Sequence, residues 1–221
     1  MNFLQISLTN RCNFSCWHCP MGQWRNSSAP RWPLCNEILI PWLEKYVEPS
    51  KWLIELTGGE PSLYPEIDEL LQWLSEHEYR VLVKTNGSGH MPHLRNVKLV
   101  AAFHKLDQPP QNFDEILIVD KINREEKEAY CKKHGITYHV IGYNKEDPDG
   151  ANHGFKMMAF LNNAGHQVGC AARKVIEDVR KDGVDYRRIT HRPLIPMQCC
   201  PHCKAAVDAW RFMEDEWKTQ N

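Results

Sequence analysis

A recurring pattern leaves this chain few folds: a short apolar run, a loop, a helical or polar crossover, then another apolar run. The runs are Phe3–Leu8, Trp52–Leu56, Arg80–Lys84, Val97–Phe103, Glu115–Val119 and Thr137–Ile141, and each reads as a strand. Helical spacing fills three of the gaps. Asn36 is expected to cap a helix reaching about Val47, with Leu39, Trp42, Leu43 and Tyr46 on one face and Pro41 near its start. Pro65 to His77 places Ile67, Leu70, Leu71 and Leu74 at helical spacing, and a charged helix from Asn123 to His134 stops at Gly135. Gly87–Asn96 and Lys105–Asp114 are too short, and too rich in Pro and His, for more than about one turn each. Six strands joined by crossovers require a parallel, right-handed β/α arrangement. Ligands in such folds gather at the C-terminal ends of the strands.

The residues at those ends carry chemistry. The first strand opens into Cys12-Asn13-Phe14-Ser15-Cys16-Trp17-His18-Cys19, three thiols at CxxxCxxC spacing on a loop whose Asn and Ser disfavour helix. A structural zinc would want a fourth protein ligand beside them, and iron–sulfur cubanes are likewise usually held by four cysteines. With three close at hand, one iron of a [4Fe–4S] cluster is left open for another ligand. The second strand delivers Thr57-Gly58-Gly59-Glu60-Pro61, and the third delivers Thr85-Asn86-Gly87, whose Asn-Gly also makes a plain turn unaided.

Taken together, LTNRCNFSCWHC followed by LTGGEP resembles the radical S-adenosylmethionine (SAM) enzymes. The resemblance implies a partial (β/α)₆ TIM-like barrel with a pared-down helical layer. It also implies that Cys12, Cys16 and Cys19 hold a [4Fe–4S] cluster whose open iron is chelated by SAM, which the reduced cluster cleaves to a 5′-deoxyadenosyl radical. By the same resemblance His18 lies near the adenine, and Gly58, Gly59 and Glu60 hold the SAM amino group. Asn86 and His104 approach the ribose and carboxylate, and the backbone at Ile141 contacts the adenine. A flavodoxin- or ferredoxin-type reductant is implied as partner.

From Asp147 the composition turns to loop, and the chain divides into a barrel over 1–146 and a linker with a cysteine-rich extension over 147–221. Gly169-Cys170-Ala171-Ala172-Arg173 resembles the opening of the auxiliary-cluster extension of SPASM and twitch radical SAM enzymes. Cys170, Cys199, Cys200 and Cys203 then supply enough thiols for one second [4Fe–4S] cluster, with zinc as the alternative. The extension departs from that pattern: no cysteine follows the hairpin glycine, Gly183, closely, and the cysteines are too few for two auxiliary clusters. The chain closes on an expected helix over Lys204–Lys218.

Composition narrows the partners. A net charge of −1 advertises neither nucleic acid nor anionic membrane, and no apolar run approaches the ~18 residues of a membrane span. The N-terminus lacks a charged segment followed by an apolar core, so a reducing cytoplasm is expected, where nine cysteines read as ligands rather than disulfides. Cys35 and Cys131 stand apart and are expected to be buried or partly buried thiols. The expected reaction is a net oxidation, dehydrogenation or radical coupling on a small molecule or peptide. Peptide maturation is the nearest competitor, and a non-catalytic iron–sulfur, zinc or electron-transfer protein is the alternative of another class.

Overall fold

A computed structural model describes residues 2–16, 35–118, 122–140 and the backbone of a strand at 158–161. In chain order the elements are β1 (Asn2–Thr9), α1 (Asn36–Tyr46), β2 (Trp52–Gly58), a 3₁₀ turn (Pro61–Leu63), α2 (Ile67–Glu76), β3 (Arg80–Thr85), β4 (Val97–Ala102), β5 (Glu115–Ile118), α3 (Arg124–His134), β6 (Tyr138–Val140) and β7 (Met158–Leu161). The strands form one sheet in the order β6-β5-β4-β3-β2-β1-β7. Every neighbouring pair is parallel. The expected α/β architecture with a sparse helical layer is what forms: β3–β4 and β4–β5 are joined without a helix. The single turns anticipated in Gly87–Asn96 and Lys105–Asp114 are both present: the Val97 N–H donates to the Leu94 carbonyl and the Gln108 N–H to the Lys105 carbonyl, each at 3.2 Å. Asp114 accepts the Leu99 N–H at 2.6 Å, and Ser75 donates to the Arg95 carbonyl at 2.7 Å.

A seventh strand was not anticipated. β7 pairs with β1, Phe3 opposite Met158 and Ile6 opposite Leu161, so β1 lies inside the sheet rather than at its edge. Four residues give too short a stretch to betray a strand by alternation.

Alternation along the strands separates two faces. Leu4, Ile6 and Leu8 of β1, Ile54 and Leu56 of β2, Val81 and Val83 of β3 and Leu99 of β4 pack with α1 and α2 in one buried cluster. α1 contributes Leu39, Trp42 and Leu43, and α2 contributes Ile67, Leu70, Leu71 and Leu74. A smaller cluster joins Ile116 and Ile118 of β5 to Cys131 of α3 and to Phe103. Cys131 is buried and Cys35 partly buried, as expected, and burial is the chief cause that pushes both thiols up in pKa.

Local caps differ in one place. Cys35, not Asn36, stands at the N-cap of α1, and Asn36 is buried inside the first turn. The free N–H of Asn36 donates to the Glu66 carboxylate at 2.6 Å, while the Asn36 amide bridges the Glu66 carbonyl and the Tyr64 hydroxyl. Glu66 thus caps α1 from across the core, which is why its side chain makes no cap bond at the start of its own helix, α2. Pro41 stands in the middle of α1 on an exposed side, where the loss of one ladder bond falls toward solvent. Gly135 closes α3 with φ 65°, the left-handed cap the sequence called for. No helix among the described residues is long and apolar enough to cross a membrane.

Candidate functional site

Because all the strands run the same way, their C-terminal loops meet at one end of the sheet. The cysteine loop leaves β1 there, with Cys12, Phe14 and Cys16 half-buried and Arg11, Asn13 and Ser15 turned outward. The loop after β2 is laced to it by backbone: Gly59 N–H donates to the Thr9 carbonyl at 2.6 Å and Glu60 N–H to the Arg11 carbonyl at 2.7 Å. Glycine is what permits this approach. A Cβ at Gly59 would overlap the Arg11 carbonyl, and one at Gly58, whose φ is +131°, would stand 2.5 Å from the Thr9 oxygen. The Gly-Gly pair therefore fixes the start of the cysteine loop.

Glu60 ties the next strand into the same rim. Its carboxylate is fully buried; one oxygen accepts the Ser62 N–H at 3.0 Å and the Thr85 hydroxyl at 2.6 Å. The other accepts the Asn86 N–H at 2.6 Å. Three donors compensate the loss of water around the carboxylate. The bond from Thr85 was not singled out from sequence, although the residue directly precedes the Asn-Gly that was.

Asn86 and His104 reach the cysteine loop from the ends of β3 and β4. Asn86 Nδ2 donates to Asn13 Oδ1 at 2.8 Å and lies 3.8 Å from Cys12 Sγ, while Asn13 donates on to Ser88 at 2.8 Å. The Phe14 N–H points at Cys12 Sγ from 3.4 Å. His104 Nδ1 lies 3.5 Å from Cys16 Sγ, and its ring meets Phe14 edge-on with centroids 5.7 Å apart. Lys105 Nζ covers the Phe14 ring at 4.8 Å. The contact of His104 with a cysteine is one that residue spacing gave no means to see.

Beneath this rim, the face opposite the helices carries charged and amide side chains among buried Phe3, Leu53, Leu82, Val100 and Leu117. Gln5 of β1 donates to Glu55 of β2, whose other oxygen pairs with Lys84 Nζ of β3 at 2.8 Å. Further round, Glu115 of β5 pairs with Lys98 of β4 and, at 3.3 Å, with His139 of β6. Of the expected site residues, Cys12, Cys16, Gly58, Gly59, Glu60, Asn86 and His104 come together at the strand ends. His18, Cys19, Ile141, Cys170, Cys199, Cys200 and Cys203 lie outside the described residues. Without Cys19, no group of three metal-binding side chains converges among the described residues. The two described thiols of this loop fit a thiolate-held iron–sulfur group: both are half-buried, with the Phe14 N–H turned toward the Cys12 sulfur and a His104 ring nitrogen beside the Cys16 sulfur.

Comparison with known proteins agrees with this arrangement. A sequence profile described as the Radical SAM superfamily matches residues 6–149. The 7-carboxy-7-deazaguanine synthase of Methanothermobacter thermautotrophicus is 39% identical over 77 residues, which are 35% of this chain and 30% of that protein. The GTP 3′,8-cyclase of Aquifex aeolicus is 33% identical over 90 residues, 39% of this chain and 28% of that protein. The chain thus matches less than a third of the length of either relative. Among solved structures, Streptococcus suis SuiB bound to precursor peptide SuiA is similar at a TM-score of 0.51 and 12% identity, over 86% of this chain and 66% of that one. At that identity the likeness is one of fold.

Proposed function

The chain belongs to the radical SAM superfamily, and on that premise we propose that it is an enzyme that generates a 5′-deoxyadenosyl radical and removes hydrogen from a small organic substrate. The reading is carried by one observation. The start of the cysteine loop is held by backbone bonds against Gly59-Glu60, and Cys12 and Cys16 lie beside polar side chains from two further strand ends. Cys12, Cys16 and Cys19 are the proposed ligands of a [4Fe–4S] cluster, with SAM on the remaining iron. When bound, the cluster supplies the electron that breaks the SAM carbon–sulfur bond.

The chain's own residues orient and shield. The backbone at Gly58 and Gly59, held close to the cysteine loop, is the proposed contact for the SAM amino group. Glu60 acts there through its fold-internal bonds, locking the ends of β2 and β3 at a fixed separation. His18 and the backbone at Ile141 are proposed for the adenine. Glu55, Lys84, Lys98, Glu115 and His139 set polar side chains among apolar ones on the face below the site.

The further proposal is a net oxidation, dehydrogenation or radical coupling, with a second cluster at Cys170, Cys199, Cys200 and Cys203 as the electron acceptor and zinc as the rival occupant. Domain limits of 1–146 and 147–221, a flavodoxin- or ferredoxin-type reductant and a cytoplasmic setting complete this reading. The names of the two sequence relatives, a deazaguanine synthase and a GTP cyclase, favour a small molecule over a peptide. SuiB, whose complex contains a precursor peptide, is the reason to retain peptide modification as the second reading.

Anaerobic reconstitution with iron and sulfide, then dithionite and SAM, tests the proposal. Release of 5′-deoxyadenosine is the expected result. Full iron loading without that product would favour a non-catalytic iron–sulfur protein instead.

A further inference from the structure

Every strand-end residue so far has been assigned toward SAM or toward the fold, yet His104 is turned toward a cysteine. We propose that His104 is a positioning residue that donates its Nδ1–H to the Cys16 thiolate and so raises the reduction potential of the cluster, rather than contacting SAM. The inference rests on the cluster reading above.

The geometry is specific to the ring. Its Nδ1 stands 3.5 Å from Cys16 Sγ, within reach of an N–H···S bond. A thiolate that ligates iron carries no proton, so the nitrogen facing it must be the donor, and this selects the Nδ1–H form of the imidazole. The ring is held from two sides. Phe103 before it is fully buried, with its N–H bonded to the Leu117 carbonyl at 2.8 Å, and Phe14 packs edge-on against the imidazole. Lys105 Nζ lies over that Phe14 ring, 4.8 Å from its centroid.

Cys12 is served in parallel, by the Phe14 N–H at 3.4 Å and by Asn86 Nδ2 at 3.8 Å. The end of β3 thus attends one thiol and the end of β4 the other. Negative charge on the ligating sulfurs grows when a cluster is reduced, so a fixed N–H donor stabilises the reduced form more than the oxidised one. Removing the donor must then move the potential to more negative values and leave SAM affinity largely unchanged.

The test uses the full chain, reconstituted anaerobically, with His104→Leu and His104→Asn compared with the unaltered protein. Asparagine places an amide N–H near the position of Nδ1, whereas leucine offers none. Readouts are iron content, the midpoint potential from a spectroscopically monitored titration, and SAM binding. The expected result is a more negative potential in His104→Leu, by about a tenfold change in the reduction equilibrium (about 59 mV for one electron), with recovery in His104→Asn. An unchanged potential in a loaded His104→Leu protein, or an equal shift in both variants, would overturn the proposal. If His104→Leu does not load, His104→Ala takes its place as the variant without a donor and is read against His104→Asn by the same outcomes. Loss of SAM binding without a shift in potential would return His104 to the SAM site. An unaltered protein that takes up no iron would instead overturn the cluster reading itself, and this inference with it.

Discussion

Gly59 has no room for a side chain, because the Arg11 backbone occupies the place a Cβ would take. Gly59→Ala should therefore displace the cysteine loop, costing about 1–3 kcal/mol of stability and several-fold in iron retained after reconstitution. Thermal unfolding and iron assay together check this, and a variant that loads iron normally would show that the loop tolerates the shift. Tyr79 makes a pH prediction at the same scale. Burial, with a smaller contribution from the Glu44 charge, pushes its phenol from the ordinary 10.0 up to about 12. Its hydroxyl donates to the Val47 carbonyl at 3.0 Å. A pKa raised by folding gives stability that is fully present below pH 10 and is lost as pH climbs through about 12. Unfolding free energy measured across that window should fall by up to about 1.4 kcal/mol per pH unit more steeply than in Tyr79→Phe, which has no proton to lose. Parallel curves would place the phenol at its ordinary value. Residue identities such as these glycines were legible in the sequence as a TGGEP stretch, but the reason for them, a backbone pressed against another backbone, was not.

At the scale of elements, the strands owe their faces to alternation, and the face away from the helices carries polar pairs between neighbouring strands. Lys84 of β3 answers Glu55 of β2, which is wholly buried. Lys84→Met leaves that carboxylate without its cation and should cost about 3–5 kcal/mol. The double variant Lys84→Met with Glu55→Leu should recover part of the loss, since this carboxylate no longer lacks its cation while the buried Gln5 amide loses its acceptor. Denaturant unfolding of the single and double variants checks the pair, and a single variant as stable as the parent would show that water reaches Glu55. The apolar periodicity of α2 and the Gly135 stop of α3 made those helices legible to within a residue or two at their ends. The cap of α1 was not, because the acceptor for its first turn is Glu66, thirty residues on in the chain and adjacent only after folding. β7 escaped notice for a related reason: it is a strand by virtue of its pairing with β1.

For the whole molecule, the division of labour between the two cysteine groups is the open prediction. If the extension holds its own cluster, a Cys12/Cys16/Cys19→Ala triple variant should retain about four irons per chain after reconstitution. Metal analysis that finds none, or zinc in their place, would remove the second cluster from the proposal. By itself the sequence determined the parallel β/α plan and the family, because strand and helix periodicities and the CxxxCxxC and TGGEP motifs are local properties of a chain. Only the tertiary structure decided that Glu60 bonds Ser62, Thr85 and Asn86, that β7 flanks β1, and that His104 faces Cys16. Those relations join residues far apart in the chain, and their distances are set by how the strands lie side by side, which no spacing along one segment encodes.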